Sequence, residues 1–170
     1  MQRPIPNNSL RRDLKEDDFI VSKTDLKGRI TYCNQIFMEL AKYTEEELLG
    51  APHSIIRHPD MPRVVFKLLW DRIQNKEEIF AYVKNLSKDG GYYWVFANVT
   101  ASLDTNGNII GYYSVRRKPS DEGIRVMSEV YAKMIELEKM GGMEASGKYL
   151  GEILEAKGMS YDELIANLQG

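Results

Sequence analysis

Cysteine is almost absent. Cys33 is the single one in 170 residues, which excludes an internal disulfide framework and a cysteine-rich metal site and suits a reducing compartment. Histidine is nearly as scarce. His53 and His58 are the only two, and neither has a third partner in the sequence that would make a metal site or a nucleophilic triad. No apolar run approaches the ~20 residues that a membrane span needs, and Met1 to Asn8 lack the apolar stretch of a secretory signal. An excess of either charge is missing too. Lys and Arg total 23 against 25 Asp and Glu, a net charge of −2, so nothing electrostatic argues for nucleic acid or an anionic membrane as the main partner. Internal repeats and low-complexity segments are not found. What is present is ordinary: 43% hydrophobic and 28% charged residues, the composition of a globular protein with length for one domain and some further chain.

The unusual stretch runs from His53 to Trp70. Both histidines, Pro59, Pro62 and one of the two tryptophans lie in it. His53, Arg57 and His58 can meet phosphates or carbonyl edges, and Trp70 offers a stacking surface, so the group suits a planar, anionic ligand. Each residue also has a plainer reading: Arg57 and His58 as loop surface, His53 as a loop cap, Trp70 as core. Asp60 is placed to N-cap the helix that follows, with Pro62 in its first turn and Val65, Leu68, Leu69 and Ile73 as its buried stripe.

Around this stretch the periodicity predicts an orderly succession. Residues 1–17 read as a mobile or partner-dependent arm. Phe19 to Tyr32 is a hairpin turned at Thr24 to Gly28. Asn34 opens a helix with Ile36, Phe37, Leu40 and Ala41 at helical spacing, and Thr44 with Glu47 forms a capping box that opens another, closed by Gly50. After Lys76 the period becomes two. Strands at Ile79 to Asn85, Tyr92 to Leu103 and Ile109 to Arg117 are joined by turns at Ser87 to Gly91 and Asp104 to Gly107. Both faces of the long middle strand carry apolar bulk, so both should be covered, one by helices and the other by a partner or the chain's own ends. A helix from Pro119 has a Met127, Val130, Met134, Leu137 stripe and breaks at Gly141-Gly142. Two short helices follow, the last with a Ser160–Glu163 capping box. The expected fold class is α+β: a five-stranded antiparallel sheet with helices on one face, plus C-terminal helices. The expected domains are an arm at 1–17, a sensor unit at 18–118 and a helical extension at 119–170. Sheet and helices would enclose a cavity.

The phrase Thr24 to Asn34, with Tyr43 to Gly50 after it, resembles a PAS domain over about residues 18 to 118. Arg57-His58-Pro59-Asp60-Met61-Pro62 through Trp70, Tyr93-Trp94-Val95 and the Gly111 to Arg116 strand resemble the FAD-binding PAS domains of the Aer/CetB energy-taxis (aerotaxis) family more specifically. That resemblance implies noncovalent FAD held between sheet and helices, in a redox sensor and not an enzyme. It also implies a membrane-bound methyl-accepting chemotaxis-type transducer as partner, a possible homodimer, and a cytoplasmic location with any membrane association through the partner. Membrane-receptor members of the family continue into membrane segments and a signalling rod. The present chain lacks both and resembles the free-standing members; Met1 and the capped final helix read as full length.

The resemblance makes Arg57 and His58 contacts for the pyrophosphate or ribose, Trp70 a contact for the flavin or adenine, and Asn85 a partner for the uracil-like edge of the ring. Arg116, in line with Ser114 and Tyr112, would neighbour the ring's reducible edge. His53, Asp60, Tyr93 and Asn34 complete the candidate set, although Asn34 reads first as a helix cap, Asp60 serves equally as one, Asn85 as a turn cap and Arg116 as an exposed strand residue. Cys33 does not sit where light-sensing flavin domains carry their adduct-forming cysteine, which argues against that photochemistry. Two alternatives stand beside the redox sensor. One is a haem-binding gas sensor with His53 or His58 as axial ligand. The other is a ligand-free interaction module whose pocket is filled by its own side chains. Trp94, Phe96 and the Met127–Leu137 stripe are candidate partner surfaces.

Overall fold

The computed structural model describes residues 2–170. Six strands form one sheet: β1 (Arg11–Arg12), β2 (Ile20–Thr24), β3 (Ile30–Cys33), β4 (Ile79–Leu86), β5 (Tyr92–Leu103) and β6 (Ile109–Arg117). β5 is central. It pairs antiparallel with β4 on one side and with β6 on the other, and β6 leads through β2 to β3. These five strands are the antiparallel sheet that the period-two patterns predict. The short β1 is an addition. It runs parallel to the start of β5, with Arg11 opposite Tyr92 and Arg12 opposite Tyr93, beyond the point where β6 ends at Phe96.

Between β3 and β4 the chain forms α1 (Gln35–Ala41), α2 (Glu45–Leu48), a 3-10 turn at His53–Ile56 and α3 (Arg63–Gln74). Asn34 caps α1, and the Thr44–Glu47 capping box is fully made. α3 differs at its start. Asp60 does not cap it; Pro62 stands at the cap position with no side-chain bond. The amides of Arg63 and Val64 instead donate to the two carboxylate oxygens of Glu138, 2.8 and 3.1 Å away and some 75 residues later in the chain. A carboxylate there satisfies orphan donors and meets the positive end of the helix dipole.

The arm is ordered against the domain. Leu14 is buried, the Asn7 amide donates to the Gly90 carbonyl, Arg12 pairs with Asp89, and Arg3 donates to the carbonyls of Ser54 and Arg57. Backbone pairing and a buried leucine hold it there, where its polar composition suggests a mobile segment.

The even-numbered side chains of β4 and β5 are covered by the chain's own C-terminus. α4 (Asp121–Lys157) and α5 (Tyr161–Gln169) pack on them. Trp94 stacks on Tyr131 at 6.2 Å between ring centres, a contact worth about 1 kcal/mol beyond its burial. The hydroxyls of Tyr131 and Tyr161 donate to the carbonyls of Tyr82 and Phe80, which closes the outer edge of β4. Gly123 permits this approach, because a Cβ there would overlap the Tyr82 ring. Trp94, Phe96, Met127 and Met134 are therefore core. The expectation of a partner surface on Trp94 and Phe96 is corrected: an apolar face exposed by the strand pattern alone is filled here within one chain. The helix break falls at Gly142, whose φ of 67° departs from the helix as the two glycines predict.

Candidate functional site

The opposite face of the sheet meets α3 and the 3-10 turn around a cavity of about 290 Å³. β2 and β6 supply Ser22, Thr24, Tyr112, Ser114 and Arg116; β4 and β5 supply Val83, Asn85, Ala97 and Val99. These residues alternate along their strands, so one pleat face lines the space. The far wall is Phe66, Leu69, Trp70 and Ile73 of α3, with His53 and Arg57 from the connection before it. Trp70 meets Tyr112 edge to face at 5.2 Å. Gly28, at φ +81°, turns beneath the indole, where a Cβ would come within 3.3 Å of Trp70.

One end of the cavity is polar. Arg116 is 3% exposed, and its guanidinium carries the charge of this end. It donates to the Ser22 hydroxyl at 2.8 Å and to His53 Nε2 at 3.1 Å, and lies 4.6 Å above the Phe37 ring. Accepting at Nε2 leaves the His53 proton on Nδ1. Burial, then the adjacent guanidinium, pull the His53 pKa down to about 3, so the ring is neutral. Burial lowers Arg116 to about 10, which still leaves it charged at neutral pH. No carboxylate is within ion-pair reach of it among the described residues. Arg116 Nε and the Tyr93 hydroxyl are buried without hydrogen-bond partners. Burial also raises Tyr93 to about 12, so it stays protonated. A buried, unpaired polar group costs about 1–3 kcal/mol. The cavity thus has flat apolar walls and one end carrying a fixed positive charge with unspent donors.

The sequence candidates divide accordingly. His53, Arg57, Trp70, Asn85 and Arg116 line the cavity together. Arg57 and Asn85 are also joined by a backbone bridge, which ties the loop to β4. Arg57 lies 4.1 Å over the Phe66 ring, and burial lowers its pKa. Tyr93 sits outside the lining, close enough to Arg116 and Asn85 to feel both. His58 is buried outside the cavity; its Nδ1 accepts from the Asp60 amide, and burial with the nearby Lys84 lowers it to about 4. Asp60 is exposed and pairs with Lys84 at 2.8 Å. Asn34 is spent entirely on backbone: Oδ1 accepts from Val21 and Phe37 and Nδ2 donates to Phe19. Cys33 is buried and does not line the cavity.

Ser22 and Phe66 line the cavity and Glu138 accepts from the first amides of α3, placements that periodicity did not reveal. A buried serine within Ile20-Val21-Ser22 was the one available signal for the first. Nothing local marks Glu138, whose partner is distant in sequence.

Residues 30–116 match the family described as the PAS fold. The chain belongs to the PAS family. Among curated relatives, it is 39% identical over 118 residues to the aerotaxis receptor of Escherichia coli K12, covering 69% of this chain and 23% of that protein. The nitrogen fixation regulatory protein of Klebsiella pneumoniae is 26% identical over 97 residues, 57% of this chain and 20% of the relative. The PAS chain described here therefore spans less than a quarter of either. In three dimensions it superposes on a light-oxygen-voltage domain studied with a flavin analogue, at a TM-score of 0.57 and 24% identity, covering 65% of this chain and 83% of that one. Among the described residues no helix is long and apolar enough to cross a membrane.

Proposed function

We propose that this PAS domain binds FAD noncovalently and reports cellular redox state to a chemotaxis-type transducer, as a signal and not as a catalyst. The observation that carries the reading is the buried Arg116 charge with no carboxylate partner, set at one end of a flat-walled cavity beside Asn85, His53 and Ser22. Such an end suits an electron-rich ring edge rather than an apolar ligand. When bound, a flavin supplies a ring whose charge and hydrogen bonding change on reduction. Asn85 presents a donor and an acceptor to that ring's uracil-like edge. Trp70, Phe66 and Leu69 form the wall beside it, and the neutral His53 ring keeps Arg116 in position. A change of charge there alters the load on Arg116 and Ser22, which belong to adjacent strands, β6 and β2.

The cavity is large enough for a ring system and too small for a whole dinucleotide, so the remainder of FAD would lie beyond Arg57. The haem alternative is less well supported, because His53 Nε2 already faces Ser22 and a guanidinium. The ligand-free alternative is also less well supported, since the chain's own side chains leave the cavity open. The reading takes residues 18–118 as the sensor unit and 119–170 as its extension. It places the protein in the cytoplasm, with a membrane-bound transducer as partner and self-association through a surface other than the Trp94–Phe96 face.

The test is an absorption spectrum of purified protein, followed by chromatography of the released cofactor. Flavin bands and FAD are expected. No flavin bands and no uptake of added FAD would sink the reading; a Soret band would substitute haem. With flavin bound, Arg116→Gln should make the cofactor harder to reduce, because a positive charge favours the added electron.

A further inference from the structure

Outside the cavity, behind Arg57, lies a separate open groove of about 450 Å³. Arg3, Arg57, His58, Arg63, Glu138 and Lys139 line it. Four of these are permanent cations. The one carboxylate is already engaged: Glu138 accepts from the first two amides of α3 and from the Ser146 hydroxyl at 2.7 Å, and it pairs at 3.6 Å with Arg63, which leaves Arg3, Arg57 and Lys139 as cations without a carboxylate partner in the groove. His58 adds a neutral donor. Its Nδ1 accepts from the Asp60 amide at 3.0 Å, so its proton sits on Nε2. That Nε2 is buried and has no partner, although the ring lies within 1% of full burial. Arg57 is common to the groove and the cavity.

We infer that this groove is the site for the phosphate-bearing tail of the cofactor, completed by Arg3 from the N-terminal arm and by Arg63 and Lys139 at the junction of α3 and α4. The inference rests on the flavin reading above. Its new content is that the two ends of the chain supply part of the cofactor site. An anion in the groove meets charge-assisted donors from three separate segments. It thereby fastens the arm and the part of α4 just before the Gly142 break to the cavity mouth, which gives cofactor occupancy a route to the helical extension.

The experiment titrates flavin-free protein with FAD and with riboflavin, which shares the ring and has no phosphate, following flavin fluorescence. Wild type is compared with Arg63→Gln/Lys139→Gln, two exposed positions away from the cavity lining. Wild type should bind FAD at least about tenfold more tightly than riboflavin, with an advantage that shrinks in salt. The double variant should lose roughly three- to tenfold in FAD affinity while riboflavin affinity stays unchanged. Retained riboflavin binding also shows that the variant is folded. Equal affinity of wild type for both flavins, or an unaltered FAD advantage in the variant, overturns the groove assignment and leaves the flavin reading standing. Failure of wild type to take up either flavin overturns the flavin reading and the groove assignment together.

Discussion

Lowering the pH from 7 to 5 should destabilise this fold through two residues alone. The chain has two histidines, and in the fold both resist protonation. His53 is pulled to about 3 by burial and by Arg116, and His58 to about 4 by burial and by Lys84, against which Asp60 is the weaker influence. Unfolded, each titrates near 6.5. Below that value the unfolded chain binds more protons than the folded one, so stability falls as pH falls. Over the 1.5 pH units from 6.5 to 5, at about 1.36 kcal/mol per unit, each ring contributes about 2 kcal/mol and the pair about 4. This is an upper figure, because water reaching half-buried His53 screens part of its share. Carboxylates do not confuse this window. Asp25, Glu47, Asp89 and Glu138 are held below their ordinary values, and their contribution is lost only at lower pH. For a chain of this length the expected drop in Tm is roughly 8–16 °C. Thermal melts followed by circular dichroism at pH 7, 6 and 5 measure it, with His53→Gln/His58→Gln as the comparison. The variant should show a nearly flat profile over the same range. A wild-type change under about 3 °C, or an equal fall in the variant, would refute the reasoning.

Two other substitutions probe how the C-terminal extension is joined to α3 and to the sheet. Glu138→Gln keeps the shape but removes the charge at the start of α3, and should cost about 1–2 kcal/mol by denaturant unfolding, with faster hydrogen exchange at Arg63 and Val64; unchanged exchange would mean that the cap is dispensable. Gly123→Ala places a methyl in the Tyr82 ring, and should loosen α4, separate Trp94 from Tyr131 and change the near-ultraviolet dichroism, at a cost of about 1–3 kcal/mol. A variant with wild-type Tm and spectrum would show that α4 does not dock as described.

The strands were legible because their signal is local. Tyr92 to Leu103 alternates by two, and Ser87 to Gly91 and Asp104 to Gly107 are turn chemistry, so hairpin order follows without distant information. The capping box at Thr44 and the N-cap at Ser160 are local for the same reason. Parity along β6 similarly put Arg116 on one face with Ser114 and Tyr112, and that face is the inward one. Asp60 shows the limit. By sequence it is a good cap, yet Lys84 takes its carboxylate, Pro62 stands at the cap position and a glutamate from another helix accepts from the first amides. The arm shows another: composition makes it a loose segment, whereas backbone pairing with β5, which no side-chain pattern encodes, holds it.

By itself, then, the sequence determined the order of strands and helices, the turns between them, the break at Gly141-Gly142 and the family resemblance carried by Arg57 to Trp70. Each depends on residues within a few positions of one another. Only the tertiary structure decided which charges stand alone and which are spent. It left Arg116 buried without a counter-ion, engaged Asn34 and Asp60 elsewhere, laid α4 over Trp94 and Phe96, and brought Arg3, Arg63 and Lys139 around Arg57. The physical reason is that burial and pairing are properties of space. A residue's charge is written in the chain, but its partners and its distance from water exist only once segments far apart in sequence have packed together.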